Sequence, residues 1–513
     1  MNVPETTVSR DLLDDLRPLD EFNQALLQAA HPPSWTNPTP DGRYNLVVIG
    51  AGTAGLVTAA GAAGVGAKVA LIERRLMGGD CLNFGCVPSK AIIRSARVAA
   101  EVRDAASFGV HVPAGTKVDF PQVMERMRML RAKIAPHDSA ERFRSLGIDV
   151  YIGEARFSGT DTVTVDGREL RFARACIATG ARASAPPIPG LKETGYLTNE
   201  TVFSLTELPR RLAIIGAGPI GCELAQSFAR FGSEVYLIEA MHGVMPNEDP
   251  DASEIVKQSI IRDGVQLLCC GKKLQIERAA EGKRLTVDSH GSHYDLTVDE
   301  ILVGAGRVPN VDNMGLDVAG VEFDKTGVKV DDSMRTSNRR IYAAGDICSR
   351  YKFTHAADAM ARIVIQNALF FGWAKASRLI IPWCTYTDPE VAHVGMYEKD
   401  AKEKGLATET LTIDLGEVDR AMLDGEEGLL KVLLAAGSDR ILGATLVSRH
   451  AGETISELTT AVTHGLGLRQ LASVIHPYPT QAEIIKRAAD AYNRKRLTPR
   501  VQQLFKWILA RRR

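Results

Sequence analysis

The feature that most narrows what this chain can fold into is an internal repeat. Residues 44–73 and 211–239 are two versions of one unit. Each starts with a short apolar run, Leu46-Val47-Val48-Ile49 or Leu212-Ala213-Ile214-Ile215, as expected of a parallel strand buried on both faces. A glycine fingerprint follows: Gly50-Ala51-Gly52-Thr53-Ala54-Gly55 in the first copy and Gly216-Ala217-Gly218-Pro219-Ile220-Gly221 in the second. Next come an Ala-rich helical stretch and a second strand, 69–72 or 235–238, that closes on an acidic residue. Glu73 lies 23 positions after Gly50, and Glu239 lies as far after Gly216. A glycine triad alone is weak evidence. With a strand before it, a helix after it and a carboxylate at the next strand end, it specifies a dinucleotide cradle. The first glycine permits the tight turn and the second lets backbone approach a pyrophosphate. The third lets helix and strand pack closely, with the phosphates at the positive end of the helix. The copies are 166 residues apart, so each is predicted to own a domain.

The two cradles are expected to hold different dinucleotides. Glu239 points to NAD(H) in the second, because a carboxylate repels the 2′-phosphate of NADP(H). Ala240 and Met241 bring no cation to offset it; Arg211 and His242 are the basic residues able to intrude. Composition excludes several other classes. Sixty-two basic residues balance 62 acidic ones, so the basic excess of a nucleic-acid binder is missing. No stretch approaches the roughly 18–20 apolar residues of a membrane-spanning helix, and residues 1–10 lack the apolar centre of a secretory signal. Eight cysteines in 513 residues do not make a disulfide scaffold. The expectation is a soluble, cytoplasmic chain of several domains.

Residues 1–43 are predicted to form a docked helical arm. Leu12, Leu13, Leu16, Leu19, Phe22, Leu26 and Leu27 keep helical spacing over Arg10–Ala30, broken by Pro18, and a Pro-rich link covers 31–40. Helices are predicted over 89–105 and 121–146, and short strands over 151–182. From about Ile380 alternating strands and helices suggest an α+β domain.

The most informative segment is Gly78-Gly79-Asp80-Cys81-Leu82-Asn83-Phe84-Gly85-Cys86-Val87-Pro88-Ser89-Lys90. It begins five residues after Glu73, so it should lie near the first cradle's ligand. Two cysteines with four residues between them, at a Gly-rich entry to a helix, can close a small ring, and a helix N-terminus lowers thiol pKa. A zinc reading would need two more soft ligands nearby, and no companion Cys-x-x-Cys exists. Cys269-Cys270 lies far along the chain in a strand-like stretch and reads as buried thiols.

With these residues assembled, the chain resembles the class I pyridine nucleotide-disulfide oxidoreductases, the family of lipoamide dehydrogenase, glutathione reductase and mercuric reductase. The resemblance covers about 44–493 and includes the cysteine segment, Ala178-Thr179-Gly180, Gly306-Arg307-x-Pro309-Asn310 and Ala344-Gly345-Asp346. It implies an α/β protein with two Rossmann-like dinucleotide-binding domains, for FAD and NAD, and a C-terminal α+β dimerisation domain. The expected division is a helical extension (1–43), an FAD domain in two parts (44–193 and 321–379), an NAD(P) domain (194–320), an interface domain (380–493) and a tail (494–513). The resemblance further implies that Gly50, Gly52, Gly55 and Glu73 bind FAD, with Asp346 on its ribityl chain, and that Thr179 and Gly180 are among the cofactor contacts. Gly216, Gly218, Gly221 and Glu239 would bind the nicotinamide cofactor, with Gly306 and Arg307 among the cofactor contacts. Cys86 would be the thiol against the flavin and Cys81 the interchange thiol. Lys90 would sit near the flavin and pair with Glu223.

The chain also departs from its relatives. In lipoamide dehydrogenase and glutathione reductase a catalytic histidine stands five residues before a glutamate. Counting back from Glu483 gives Tyr478, as in mercuric reductases, while His476 lies two residues earlier. In a strand-like segment His476 and Tyr478 would share one side, which would let His476 reach the site, and the resemblance implies a homodimer in which Tyr478 and Glu483 are donated across the interface. Mercuric reductases end in a vicinal cysteine pair, whereas no cysteine here follows Cys384. Cys81 and Cys86 are therefore the expected transient ligands of an Hg(II) substrate, with no structural metal. From Arg494 onward there are eight basic residues and no acidic ones, and Val501, Leu504, Phe505, Ile508 and Leu509 form an apolar stripe. That pattern suits packing on the protein or a weak peripheral contact with an anionic membrane. The leading expectation is a mercuric reductase-like enzyme passing electrons from NAD(P)H, NADH favoured, through FAD to the Cys81–Cys86 disulfide and on to a small-molecule or metal-ion acceptor. The rivals are dihydrolipoyl dehydrogenase and a non-catalytic flavin redox sensor.

Overall fold

The run Leu46–Ile49 falls inside the strand Arg43–Ile49, where Leu46, Val47 and Val48 are completely buried. It pairs in parallel with Val69–Glu73 on one side and with Arg168–Ile177 on the other. Asp149–Ile152 extends the sheet beyond Val69–Glu73, and Ile341–Ala343 adds a parallel strand on Arg168–Ile177. The strands Thr162–Val165 and Ala155–Phe157 complete it in antiparallel fashion. The turn before Arg168 has Asp166 at φ 46° and Gly167 at φ 71°, both left-handed, as a tight hairpin demands. The second copy repeats the plan. Arg211–Ile215 lies between Glu234–Ile238 and Glu300–Val303, all parallel. A three-stranded antiparallel sheet, 272–298, lies in the chain between them.

The computed structural model describes residues 12–13 and 16–513. It forms two compact units, one of residues up to Gly216 with Ser227–Ile238 and Gly271–Leu379, the other of Ala217–Gln226, Glu239–Cys270 and Ile380–Arg513. In the second unit the strands run Trp383–Thr385, Glu390–Gly395, Ile441–Ser448, Leu429–Ala435 and Thr408–Asp414 across one antiparallel sheet. The helices Ala451–His464 and Glu483–Lys495 contribute Ile455, Leu458, Ile484 and Ile485 to its core.

The N-terminal arm is docked. Its helix, Glu21–Ala30, starts at Asp20, whose carboxylate accepts the Asn23 N–H at 2.9 Å, a common capping arrangement. Leu16 and Leu26 are fully buried. The arm also reaches the cysteine segment. Arg131, itself buried, donates to Asn23 Oδ1 at 2.6 Å and to the Asn83 carbonyl at 2.7 Å. The Met77 N–H donates to the Ala30 carbonyl at 2.9 Å. The part of the predicted helix before Leu12 lies outside the described residues.

Gly55 in the helix Thr53–Gly64 shows why the fingerprint needs its third glycine. A Cβ there would stand 1.8 Å from the Gly50 carbonyl oxygen, so any larger residue drives helix and strand apart. Gly55→Ala should destabilise the chain by about 1–3 kcal/mol through overpacking, read by denaturant unfolding. Gly64→Ala, with nothing within 4 Å of the new methyl, should be neutral or stabilising by up to about 1 kcal/mol. Equal effects at both positions would contradict the packing argument.

Candidate active site

The cysteine segment lies against the first fingerprint because two glycines let it. Gly78 and Gly79 have φ 88° and 57°, and a Cβ on Gly79 would stand 2.5 Å from Gly52 Cα. The Gly78 N–H donates to the Ala51 carbonyl at 2.9 Å. A short helix, Gly79–Asn83, carries Cys81, and Cys86 opens the helix Cys86–Asp104. Asn83 is fully buried, and its amide donates to the Met77 and Gly79 carbonyls at 3.1 and 2.8 Å.

Cys81 is half-buried and Cys86 exposed, both as thiols. The two are ionised differently. The hydrogen bond from Cys81 is the main cause that lowers the Cys86 pKa, to about 6, and the Thr354 hydroxyl and the Lys90 charge act in the same direction. Thr354 Oγ1 is 3.4 Å from Cys86 Sγ; with the sulfur ionised, the hydroxyl donates. Cys86 also sits in the first turn of its helix, where unpaired N–H groups favour an anion. Cys81 is pushed the other way, first because it gives its hydrogen bond to Cys86 and then by burial. One sulfur thus carries the charge and the other keeps the proton.

Around this pair the first unit gathers polar groups. Arg307 Nη2 lies 3.0 Å from Asp80 Oδ2, and its Nε lies 3.7 Å from Asp346 Oδ2. Asn199 Nδ2 donates to Asp80 Oδ1 at 3.1 Å. Burial raises the pKa of Asp80 and of Asp346, and Arg307 opposes it at both. Thr179 Oγ1 donates to the Asn310 carbonyl at 3.0 Å, and the Gly180 carbonyl accepts the Asn310 N–H at 3.0 Å. The Gly306 carbonyl accepts the Ser184 N–H at 3.2 Å.

The two fingerprints are alike down to their hydrogen bonds. Glu73 accepts the Ala51 N–H at 2.7 Å and the Arg75 N–H at 2.8 Å, one on each oxygen. Glu239 accepts the Ala217 N–H at 2.8 Å and the Met241 N–H at 2.9 Å in the same fashion. A carboxylate has about four acceptor sites, so each keeps capacity for a ribose diol. Glu223, buried in the second unit on the helix Pro219–Phe231, accepts the Tyr386 N–H at 2.8 Å.

The segment 473–482 has no strand, so the alternation expected of His476 and Tyr478 does not occur. The His476 side chain is 5% exposed, and its Nε2 is 3.0 Å from Glu457 Oε2. Tyr478 is 71% exposed and donates to Asp419 Oδ2 at 2.8 Å. Glu483 pairs with Arg487 at 3.1 Å. The carboxylate on His476 is therefore Glu457, which sequence reading missed because it lies 19 residues earlier, on the helix Ala451–His464. Thr354 and Asn199 were also missed; neither carries a local signal tying it to the cysteines. Cys269 is buried as expected, but the strand Gln266–Leu268 ends before it, and Cys270 is half-buried in a bend.

Two dinucleotide cradles, one backed by a polarised dithiol, define a nucleotide-linked dithiol redox protein. Residues 44–361 match the pyridine nucleotide-disulphide oxidoreductase family, and 381–489 match the dimerisation domain of that family. Mercuric reductase from Lysinibacillus sphaericus is 36% identical over 453 residues, 88% of this chain and 83% of the relative. Dihydrolipoyl dehydrogenase from Chlamydia muridarum is 34% identical over 448 residues, 86% and 95% of the two chains. The HOCl-induced flavoprotein disulfide reductase RclA from Escherichia coli, solved as a Cu(II) complex, superposes with a TM-score of 0.77 at 27% identity, covering 88% of this chain and 100% of RclA. The chain belongs to the pyridine nucleotide-disulphide oxidoreductase family. It is an FAD-dependent, NAD(P)H-linked disulfide oxidoreductase.

The residues present fit such cofactors. The helix Thr53–Gly64 has no side-chain cap on its first turn, leaving N–H groups for a pyrophosphate. Arg307 Nε is buried with no hydrogen-bond partner. Asp346 accepts no hydrogen bond on its carboxylate among the described residues, so it can take ribityl hydroxyls.

The polarisation predicts a pH profile for thiol chemistry. Alkylation of Cys86 in the dithiol form should rise with pH through a midpoint near 6, because only the thiolate reacts. Thr354→Val should move that midpoint upward, and Lys90→Met should do so by less. A midpoint near the ordinary cysteine value of about 8.5 would contradict the assigned polarity.

Proposed function

We propose that this enzyme carries electrons from NADH through FAD to the Cys81–Cys86 pair and on to a thiophilic metal ion or a small disulfide, in the manner of mercuric reductases. The observation that carries this reading is the Cys81–Cys86 pair set at a helix start against the first fingerprint, where the Gly78 N–H donates to the Ala51 carbonyl at 2.9 Å. When bound, FAD would supply the two-electron relay between the nicotinamide and the disulfide. The chain's own groups prepare each end. Glu73 and Asp346 would hold the sugar hydroxyls of FAD, and the first turn of Thr53–Gly64 would take its pyrophosphate. Lys90 and the helix start hold the Cys86 sulfur as thiolate. Cys81 keeps its proton until an acceptor sulfur or metal ion approaches; loss of that proton then frees it as nucleophile or ligand. Arg307 balances Asp80, next to Cys81 in the chain, and Asp346, both half-buried.

The match to the dimerisation domain supports a homodimer in which Tyr478, His476 and Glu483 serve the thiol pair of the opposite subunit. A tyrosine at 478, with His476 turned to Glu457, favours a metal ion over lipoamide as acceptor. Glu239, with one oxygen on each side of its loop, favours NADH over NADPH. Steady-state turnover tests this. NADH oxidation should respond to HgCl2 with excess thiol more than to lipoamide, and kcat/KM should be at least about tenfold higher for NADH than NADPH. Cys81→Ser should cost about 100-fold or more in acceptor turnover. Lipoamide as the better substrate would overturn the choice of acceptor and favour the dihydrolipoyl dehydrogenase reading.

The tail reading rests on a separate observation. The helix Pro499–Ala510 has no buried side chain, and Leu504, Phe505, Trp507 and Leu509 are about half exposed. No helix among the described residues is long and apolar enough to cross a membrane. We propose a peripheral contact of this basic amphipathic helix with anionic lipid. The full chain should co-sediment with phosphatidylserine vesicles more than a chain ending at 493, and less so at high salt. Equal sedimentation would refute it.

A further inference from the structure

Adjacent residues of an extended chain point to opposite sides, so neighbouring thiols do not ordinarily face one ion. Cys269 and Cys270 escape that rule. The strand Gln266–Leu268 ends just before them, and Cys270 takes φ +57°, the left-handed region that a residue with a Cβ seldom occupies. The chain turns there, and both sulfurs come to the same side. The loop after Glu239 meets them. The Cys270 N–H donates to the Met241 carbonyl at 2.9 Å. The next residue, His242, places its Nδ1 3.5 Å from Cys270 Sγ. The ligand atoms of His242, Cys269 and Cys270 all lie within 4.8 Å of one another.

That spacing has a chemical meaning. An ion with Zn–S near 2.3 Å and Zn–N near 2.0–2.1 Å in a tetrahedral field holds its ligands about 3.5–3.8 Å apart. The His242–Cys270 distance already falls in that range, and the rest closes by small side-chain rotations. Two sulfurs and an imidazole are a soft donor set, suited to zinc-class ions and ill suited to magnesium or calcium. Cys269 is buried, whereas Cys270 is half-buried and His242 exposed. The site is thus anchored at one end and open to an ion from solvent at the other.

We propose that His242, Cys269 and Cys270 form a binding site for a thiophilic cation of the zinc class, separate from the Cys81–Cys86 pair. The second unit supplies three ligands of a tetrahedral ion. Binding converts two thiols to thiolates and releases their protons to solvent, with no change of oxidation state. The site does not depend on the acceptor read for the enzyme.

Metal titration of the FAD-loaded protein tests it, with Zn(II) and Co(II) as probes. Cys81→Ser/Cys86→Ser protein is the parent, so that the redox pair cannot bind the ion. The parent should take up about one Zn(II) per chain with Kd below about 1 µM. Its Co(II) form should show a sulfur-to-cobalt charge-transfer band. Adding Cys270→Ser or His242→Ala should weaken Zn(II) at least about tenfold, and Cys269→Ser/Cys270→Ser should abolish the cobalt band, with flavin content unchanged. Flavin content reports folding in every variant, and Cys270→Gly, which relieves the left-handed residue, removes the ligand without adding strain. The absence of stoichiometric Zn(II) in the parent would overturn the proposal. So would binding that survives the double cysteine change, or a Cys269–Cys270 bond whose reduction uncovers no site.

Discussion

The pairing of Cys81 with Cys86 is where the chemistry of this chain begins. It makes two chemically identical side chains different, one drawn toward the anion and one toward keeping its proton. Several features hold that pair in place. Gly78 and Gly79 accept left-handed backbone so that the segment can lie on Gly52. Asn83 pins the short helix from within, and Arg131 ties Asn83 to the arm. Thr354 and Lys90 then stabilise the charge from outside. The described part of the arm, through Asn23 and Ala30, belongs to this scaffold.

The repeat supplies the second constraint. Glu73 and Glu239 each bridge two N–H groups of their own loops before any ligand arrives. The carboxylates are therefore oriented by the fold, and binding need not order them. Copying one unit twice gives two cradles, but only the first is followed by Gly78–Cys86. The difference between them comes from that insertion and from the Arg307 cluster, where one guanidinium lies near two half-buried carboxylates.

Much of this was legible in the sequence, where period and punctuation carry the information. The strands at 43–49, 69–73 and 211–215 follow from apolar runs closed by glycine, and the cysteine helix follows from a Gly-rich entry. Contacts between residues far apart in the chain were not legible. Thr354 reaches Cys86 across 268 residues, and Asn199 reaches Asp80 across 119. Around His476 the error was of period: two residues of spacing suggested one face, but proline on either side of Tyr478 prevents a strand. The histidine turns inward to Glu457 and the tyrosine outward to Asp419. At Cys270 a single left-handed residue reversed what strand alternation would predict. Backbone states of that kind in a residue with a side chain leave no mark in composition.

The central claim is that the flavin and the Cys81–Cys86 pair form one electron-accepting unit. Anaerobic titration with dithionite, followed by flavin absorbance, measures that directly. A disulfide is a two-electron couple, as is the flavin, so the oxidised enzyme should consume about four electrons per chain before the flavin is fully bleached. Cys86→Ser should consume about two. An unaltered protein that bleaches completely with about two electrons would show that the sulfurs and the flavin do not exchange electrons, and the account would fail.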